Sequence, residues 1–168
     1  MIYDGKIDIA EGRSAESKVW KNKSILWSEF LKKIATPVVT TETFKEFIAA
    51  TKQEQHRIKD VGGYVGGYLV GGKRTITSVG HRRLLTLDID FAHIHLWDDF
   101  EMMFDNAAIL HATHKHSPES PRYRLIMPLS RDVSPEEYVA ISVRLSYTDF
   151  VICLQHVKKS SIGLLKNQ

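Results

Sequence analysis

Residues 84–90 of the chain have the sequence Leu-Leu-Thr-Leu-Asp-Ile-Asp, and the alternation in this stretch decides the fold. Successive side chains of a β-strand point to opposite faces of the sheet, so Thr86, Asp88 and Asp90 share one face. The pattern predicts a strand with its apolar face on the core. That apolar face carries Leu85, Leu87 and Ile89.

The segments after this strand alternate between helical and extended patterns. Ser134-Pro135-Glu136-Glu137 is a helix start, with serine at the cap and proline at the first helical position. The order β-α-β-β-α-β is typical of an RRM-like or ferredoxin-like fold. The sequence therefore predicts an α+β protein with a mixed or antiparallel sheet and helices packed on it. The predicted elements are a helix over 96–106, strands over 107–113 and 123–129, a helix over 134–146 and a strand over 149–154.

The sequence predicts a single domain that spans residues 1–168. Its catalytic sheet core is predicted at 61–154, and residues 1–60 are predicted to add an N-terminal α/β segment to that core. Residues 1–24 predict a short strand and loops. The apolar spacing over 24–34 predicts a helix. A second helix is predicted from a cap at Thr41 or Thr43 up to Gly62, with one apolar face made by Phe44, Phe47, Ile48 and Ile58.

The stretch Gly-Gly-Tyr-Val-Gly-Gly-Tyr-Leu-Val-Gly-Gly-Lys-Arg, residues 62–74, contains three glycine pairs. It predicts a β-hairpin or a bent strand, because glycine is unfavourable inside helices. Two interpretations remain open: a turn-rich sheet edge, or a backbone surface that approaches a substrate. No Walker A spacing is present. Lys73 is a candidate nucleotide contact.

Composition narrows the class of protein. The chain has 23 Lys and Arg against 20 Asp and Glu, a net charge of +3, which permits a nucleic-acid partner without arguing for one. The single cysteine, Cys153, excludes an internal disulfide and a cysteine-type zinc cluster. No signal peptide is recognisable, and no apolar run approaches the roughly 20 residues that span a bilayer. We expect a cytoplasmic protein with no membrane partner.

Asp88 and Asp90 are the first candidate site residues. Two carboxylates this close repel each other unless one is protonated or a cation lies between them. Carboxylate oxygens suit Mg²⁺ or Mn²⁺, and such a cation binds triphosphate oxygens and activates an attacking hydroxyl. The alternative is a solvated strand end, since Asp-x-Asp arises often by chance.

Two further pairs lie later in the chain. His114 and His116 alternate on one side of an extended segment, and His111 precedes them. Three interpretations of the pair His114 and His116 are open: surface imidazoles, metal ligands, or hydrogen-bond partners of phosphate or sugar. His111 is either a third polar group on the same edge or a histidine with satisfied hydrogen bonds. Arg122 and Arg124 share a strand face, and their planar donors match phosphate oxygens unless they simply cover the surface. In a hairpin they would lie beside the histidines.

These residues resemble the archaeo-eukaryotic primase superfamily, within it the primase-polymerases of phages and plasmids. Residues 85–90 are similar to the first acidic motif of that family, and Thr113-His114-Lys115-His116 is similar to its second motif. Residues 117–137 resemble the segment after the second motif in the phage members. The resemblance covers roughly residues 20–145. Each motif alone is weak, and only the motifs in combination are specific to the family.

The resemblance implies template-directed nucleotidyl transfer in DNA replication. Asp88 and Asp90 would hold Mg²⁺ or Mn²⁺, and His116 or His114 would contact the nucleotide. The arginines would bind the triphosphate of an NTP or dNTP. The implied partners are a single-stranded DNA template, nucleotides and a replicative helicase. The family carries a third acid on a later strand, and Asp149 is the only acid after Glu137 that could serve.

Two other functions compete with this one. A rolling-circle replication nickase also uses an RRM-like sheet and a His-hydrophobic-His pair, the form of His93-Ile94-His95, with Tyr138 or Tyr147 as nucleophile. That reaction leaves both aspartates and the arginine pair without a role. The third function is non-catalytic: a remnant that binds DNA or nucleotide and does not polymerise.

Overall fold

A computed structural model of the chain describes residues 3–147. They form an α+β fold with a three-stranded sheet, order β2-β1-β3, and a four-stranded sheet, order β4-β5-β7-β6. All strand pairs in both sheets are antiparallel. The strands are β1 (Lys6–Gly12), β2 (Lys21–Leu26), β3 (Gly63–Val65), β4 (Gly67–Leu69), β5 (Val79–Ile89), β6 (Ile109–Ala112) and β7 (Tyr123–Val133). The helices are α1 (Trp27–Ile34), α2 (Phe44–Ala49), α3 (Lys52–Lys59), α4 (Leu96–Met103) and α5 (Pro135–Tyr147).

The four-stranded sheet confirms the predicted order β-α-β-β-α from residue 84 onward. Strand β7 lies between β5 and β6, and β4 pairs with the first residues of β5 on the other side. The strand predicted at 149–154 lies outside the described residues. Among the described helices, none combines the length and apolarity that crossing a membrane requires.

One hydrophobic cluster fills the space between this sheet and helices α4 and α5. It confirms the apolar face of β5 predicted from the sequence. The side chains of Leu96 and Phe100 from α4 and Tyr138 from α5 pack against that face. The cluster also contains Leu85, Leu87, Ile89, Leu125, Met127 and Val133.

A second cluster joins the other face of the four-stranded sheet to the N-terminal sheet. Leu84 and Ile126 of the four-stranded sheet pack with Ile7, Ile9 and Phe30. Asp88 lies two strand steps beyond Leu84 on the same face, where its side chain is 26% exposed. The N-terminal sheet thus covers the part of this face that contains Leu84 and Ile126. Asp88 lies at the edge of the covered part and stays partly exposed.

The N-terminal region differs from its sequence prediction in two ways. The helix predicted over 24–34 begins only at Trp27, because residues 21–26 pair with β1. The single helix predicted up to Gly62 was wrong. Ala50 is extended, with ψ of 153°, and Thr51 caps a separate helix by accepting a hydrogen bond from the Glu54 amide. The predicted cap at Thr43 is confirmed for α2.

Of the two predicted forms of the glycine-rich segment, the hairpin is wrong and the bent strand is confirmed, with the bend at Gly66. Its strands β3 and β4 belong to different sheets, because β3 pairs with β1 while β4 pairs with β5. A Cβ atom on Gly67 would lie 2.1 Å from the His81 carbonyl oxygen, so no larger residue fits there. The chain therefore passes from one sheet to the other through a crossing that requires glycine.

We expect Phe30→Ala to lower the free energy of unfolding by about 3–5 kcal/mol, the usual loss for a buried phenylalanine. Phe30 is fully buried, stacks on Trp27 at 5.6 Å and meets the edge of Tyr64 at 5.0 Å. Urea denaturation measures the change. The matched control is Phe44→Ala, because Phe44 is 49% exposed and should shift stability by only about 0.5 kcal/mol. Equal losses in both variants would contradict this account of the core.

Candidate functional site

Two rows of polar side chains lie on the face of the four-stranded sheet that the N-terminal sheet covers in part. The strand register places Asp88 of β5, Arg124 of β7 and His111 of β6 side by side. Directly beyond the end of β5 and the start of β7, Arg122 donates from Nη1 to Asp90 Oδ1 at 2.9 Å. These five residues, here called the polar rows, bring the predicted acid pair and arginine pair together.

The pair Asp88–Arg124 is the buried one. Arg124 donates from Nε to Asp88 Oδ1 at 2.5 Å and from Nη2 to Oδ2 at 3.0 Å, a bidentate contact. Only 7% of the Arg124 side chain is exposed. Burial works against its charge, yet the hydrogen bonds and the charge of Asp88 outweigh burial and raise the pKa of Arg124. The pair is therefore held in a fixed orientation.

The pair Asp90–Arg122 is more open. Their side chains are 23% and 26% exposed, and a single hydrogen bond joins them. The guanidinium of Arg122 also lies over the ring of Phe91, with Cζ 5.6 Å from the ring centroid. Since both side chains are partly exposed and one hydrogen bond joins them, this pair should be easier to break than the pair of Asp88 and Arg124.

The predicted histidines occupy different positions. His116 Nδ1 accepts a hydrogen bond from the Arg122 backbone amide at 3.2 Å, which places His116 beside the second polar row. His114 instead meets the edge of Phe47 on α2, with ring centroids 4.1 Å apart. The turn that carries both histidines closes through a bond from the His116 amide to the Thr113 carbonyl oxygen.

His111 lies directly within the first row, next to Arg124. Its Nδ1 lies 2.9 Å from the Ala112 carbonyl oxygen, and its Nε2 is buried with no hydrogen-bond partner among the described residues. Burial, together with the charge of Arg124, lowers the pKa of His111. The lowered pKa favours the neutral ring, and Nε2 carries no proton when Nδ1 donates to that carbonyl oxygen.

The pKa of His111 gives a prediction about stability. Because the pKa is lower in the folded state, the unfolded chain takes up the proton first as the pH falls below about 6.5. Folding stability should therefore decrease from about pH 6.5 downward until the folded pKa is reached. Urea titrations between pH 5 and 8 should show a shallower slope for His111→Gln than for wild type. An unchanged slope would contradict a neutral, buried His111.

Lys73 is a predicted nucleotide contact that lies away from the polar rows. Lys73 lies four residues beyond Leu69, which pairs with Val79 at the start of β5. Asp88 lies nine residues further along that strand, roughly 30 Å away at about 3.3 Å per residue. Four residues of chain span at most about 14 Å, so Lys73 does not reach the rows. Asp149, the predicted third acid, lies outside the described residues.

The donor set of the rows fits a divalent cation that takes further ligands from a nucleotide. Asp88 and Asp90 offer carboxylates on one face, and an ionised carboxylate has about four acceptor positions, so one guanidinium leaves some open. Within residues 3–147, no third acid, histidine or cysteine joins these two in a three-ligand cluster. Mg²⁺ commonly binds one or two carboxylates plus substrate phosphates and water, which suits such a pair.

Sequence reasoning missed a contribution from β3. Tyr64 is buried near Asp88, Arg124 and Tyr138, and burial raises the pKa of its hydroxyl group. No sequence signal identifies it, because β3 belongs to the other sheet. His111 had a signal, since it lies one strand step before Thr113 on an alternating segment, but nothing in the sequence specified Arg124 as its neighbour.

The histidine pair of the nickase alternative lies in the turn before α4 rather than on a strand. His93 Nε2 is 3.0 Å from Asp99 and His95 Nδ1 is 3.3 Å from Asp98. The hydroxyl of Tyr138 is buried and hydrogen-bonds the Thr86 backbone at 3.3 Å. That hydroxyl is not available to attack DNA. The side chain of Tyr147 lies outside the part that the structure describes.

A protein-family model described as the VapE N-terminal domain matches residues 1–153. No curated protein and no solved structure matches the chain. The family match thus includes both sheets and every residue of the polar rows.

Proposed function

Because the chain belongs to the VapE N-terminal domain family, which is associated with phage and plasmid replication, we propose that it is a DNA primase-polymerase domain. The proposed reaction is metal-dependent, template-directed nucleotidyl transfer from NTPs or dNTPs. The observation that carries the proposal is the placement of Asp88 and Asp90 on one sheet face, each beside an arginine. Acid pair and cationic donors together are what a nucleoside triphosphate and its cation require.

We assign a different role to each part of the polar rows: metal binding, triphosphate binding and positioning. Asp88 and Asp90 would hold Mg²⁺ or Mn²⁺, which when bound neutralises phosphate charge and favours attack by a hydroxyl group. Arg122 is the arginine suited to bind the triphosphate, since it is more exposed than Arg124 and makes only one hydrogen bond to its carboxylate. Arg124 is a positioning residue, because its bidentate contact orients Asp88.

An exposed aromatic ring supports a nucleic-acid substrate. Phe91 follows Asp90 directly and is 56% exposed. It lines a cleft of about 370 Å³ together with Ala92, His93, Glu119, Ser120 and Pro121. Bases of single-stranded nucleic acid stack on such rings, and each stacked base contributes about 1–3 kcal/mol of binding. The cleft therefore offers a surface for a base beside the proposed reaction site.

The test is incorporation of labelled nucleotide on single-stranded DNA, with and without an annealed primer. We expect product with Mg²⁺ or Mn²⁺ and none with EDTA. A covalent protein–DNA adduct would identify a nickase instead. Nucleotide binding without incorporation under either metal would contradict the catalytic proposal and identify a binding domain.

A further inference from the structure

A second cluster of ligating side chains lies at the opposite end of β5 from the polar rows. His81 Nε2 is 3.0 Å from Asp8 Oδ2 and 3.7 Å from Asp132 Oδ2. The three ligand atoms all lie within 4.8 Å of one another. His81 precedes Asp88 by seven residues, roughly 23 Å along the strand, so this cluster is separate from the polar rows.

His81 and Asp8 are joined by a hydrogen bond, and the three ligand atoms are close enough for a divalent ion to take the place of its proton. Zinc–nitrogen and zinc–oxygen bonds of about 2.0–2.2 Å in a tetrahedral site put neighbouring ligand atoms about 3.3 Å apart. The two measured separations, 3.0 and 3.7 Å, fall on either side of that value. One imidazole and two carboxylates also give the mixed donor set that Zn²⁺ and Mn²⁺ accept.

Neighbouring side chains orient the ligands. The ring of Tyr68 stacks on His81, with centroids 5.7 Å apart and an interplanar angle of 17°. Arg83 Nη1 lies 3.6 Å from Asp132 Oδ1, so the other carboxylate oxygen, Oδ2, is the one turned toward His81. Partners of this kind hold metal ligands in place in known sites.

We propose that Asp8, His81 and Asp132 bind a Zn²⁺ or Mn²⁺ ion, with a position left open for water. The three ligands come from β1, β5 and β7, so the ion links the three-stranded sheet to the four-stranded sheet. Two carboxylates balance the charge of one divalent ion. Bound metal stabilises the folded chain, since the unfolded chain does not hold the three ligands together.

The experiment is calorimetric titration of the metal-stripped chain with Zn²⁺ and, separately, Mn²⁺. Asp90→Asn is included throughout, so that binding at the polar rows does not contribute. We expect one ion per chain and a higher thermal midpoint in the presence of that ion. Asp132→Asn should weaken affinity by more than about tenfold, the lower end of losses seen for the supporting partners of metal ligands. Asp132 is 54% exposed, so this variant should fold normally without metal.

His95→Gln is the matched control, because His95 and Asp98 form an exposed histidine–aspartate pair with no third ligand within the described residues. Its affinity for the ion should equal that of the parent chain. His81→Gln should abolish metal binding. If His81→Gln does not fold, the affinity of Asp132→Asn tests the proposal instead. Absence of stoichiometric binding, or binding unchanged by Asp132→Asn, would overturn the proposal and leave an ion-pair cluster. None of these outcomes depends on nucleotide incorporation.

Discussion

Asp90→Asn is expected to reduce metal-dependent nucleotide incorporation by more than about 100-fold. Loss of residues that merely support a metal ligand already reduces affinity or activity by about 10- to 100-fold, so loss of a ligand should exceed that range. Asparagine keeps the shape of the side chain but removes its charge. Because the pair with Arg122 is partly exposed and joined by one hydrogen bond, the loss of stability should stay well below the about 3–5 kcal/mol lost when a buried pair is broken.

Incorporation rate and urea denaturation of the same preparation measure the two effects. Asp98→Asn is the control, since Asp98 is 71% exposed on α4 and belongs to no polar row. It should retain full activity. Asp88→Asn should also abolish incorporation, but it disturbs the buried contact to Arg124 and is less discriminating. Full activity in Asp90→Asn would contradict the role of the acid pair.

Arg124→Ala is expected to lower the free energy of unfolding by about 3 kcal/mol, whereas Arg122→Ala should lower it by only about 1 kcal/mol, because Arg122 is partly exposed and makes a single hydrogen bond to its carboxylate. Removing one partner of a buried pair leaves the other charge without compensation. Asp88 is one quarter exposed, so the lower end of the usual range of about 3–5 kcal/mol applies. Urea denaturation of both variants provides the comparison.

The same two variants separate structure from binding. Arg122→Ala should remain folded and lose affinity for nucleoside triphosphate, measured by titration with a non-hydrolysable analogue. Arg122→Lys should restore part of that affinity, because it restores the charge without the planar donor pair. Equal destabilisation by the two alanine substitutions would contradict the distinction between a fixed and a partly exposed pair.

Local patterns predicted the four-stranded sheet well. The period-2 alternation of 84–90 identified the buried face, and the same alternation placed both aspartates on the other face. Arg122 and Arg124 could be assigned to one face by the same rule. The carboxylate partner of each arginine could not be predicted. The pairing of Asp88 with Arg124 depends on the register between two strands, and these residues are 36 positions apart in the chain.

The split between α2 and α3 is a local feature that the sequence prediction missed, because the apolar spacing of Phe47 and Ile58 favoured one continuous helix.

Other features depend on contacts between distant parts of the chain, which no local pattern contains. Asp8 lies on a strand of the N-terminal sheet, and its approach to His81 joins residues 73 positions apart. Tyr64 lies near Asp88 although its strand β3 belongs to the other sheet, a proximity that no local pattern contains.

The glycine crossing between β3 and β4 also bears on how the protein can be divided. A fragment starting at residue 61 would keep β3 but remove β1, the only strand with which β3 pairs among the described residues. It would also expose Leu84 and Ile126, which are fully buried in the intact protein. The N-terminal segment thus contributes one side of a hydrophobic core that both sheets share. The two sheets should melt together, in one cooperative transition.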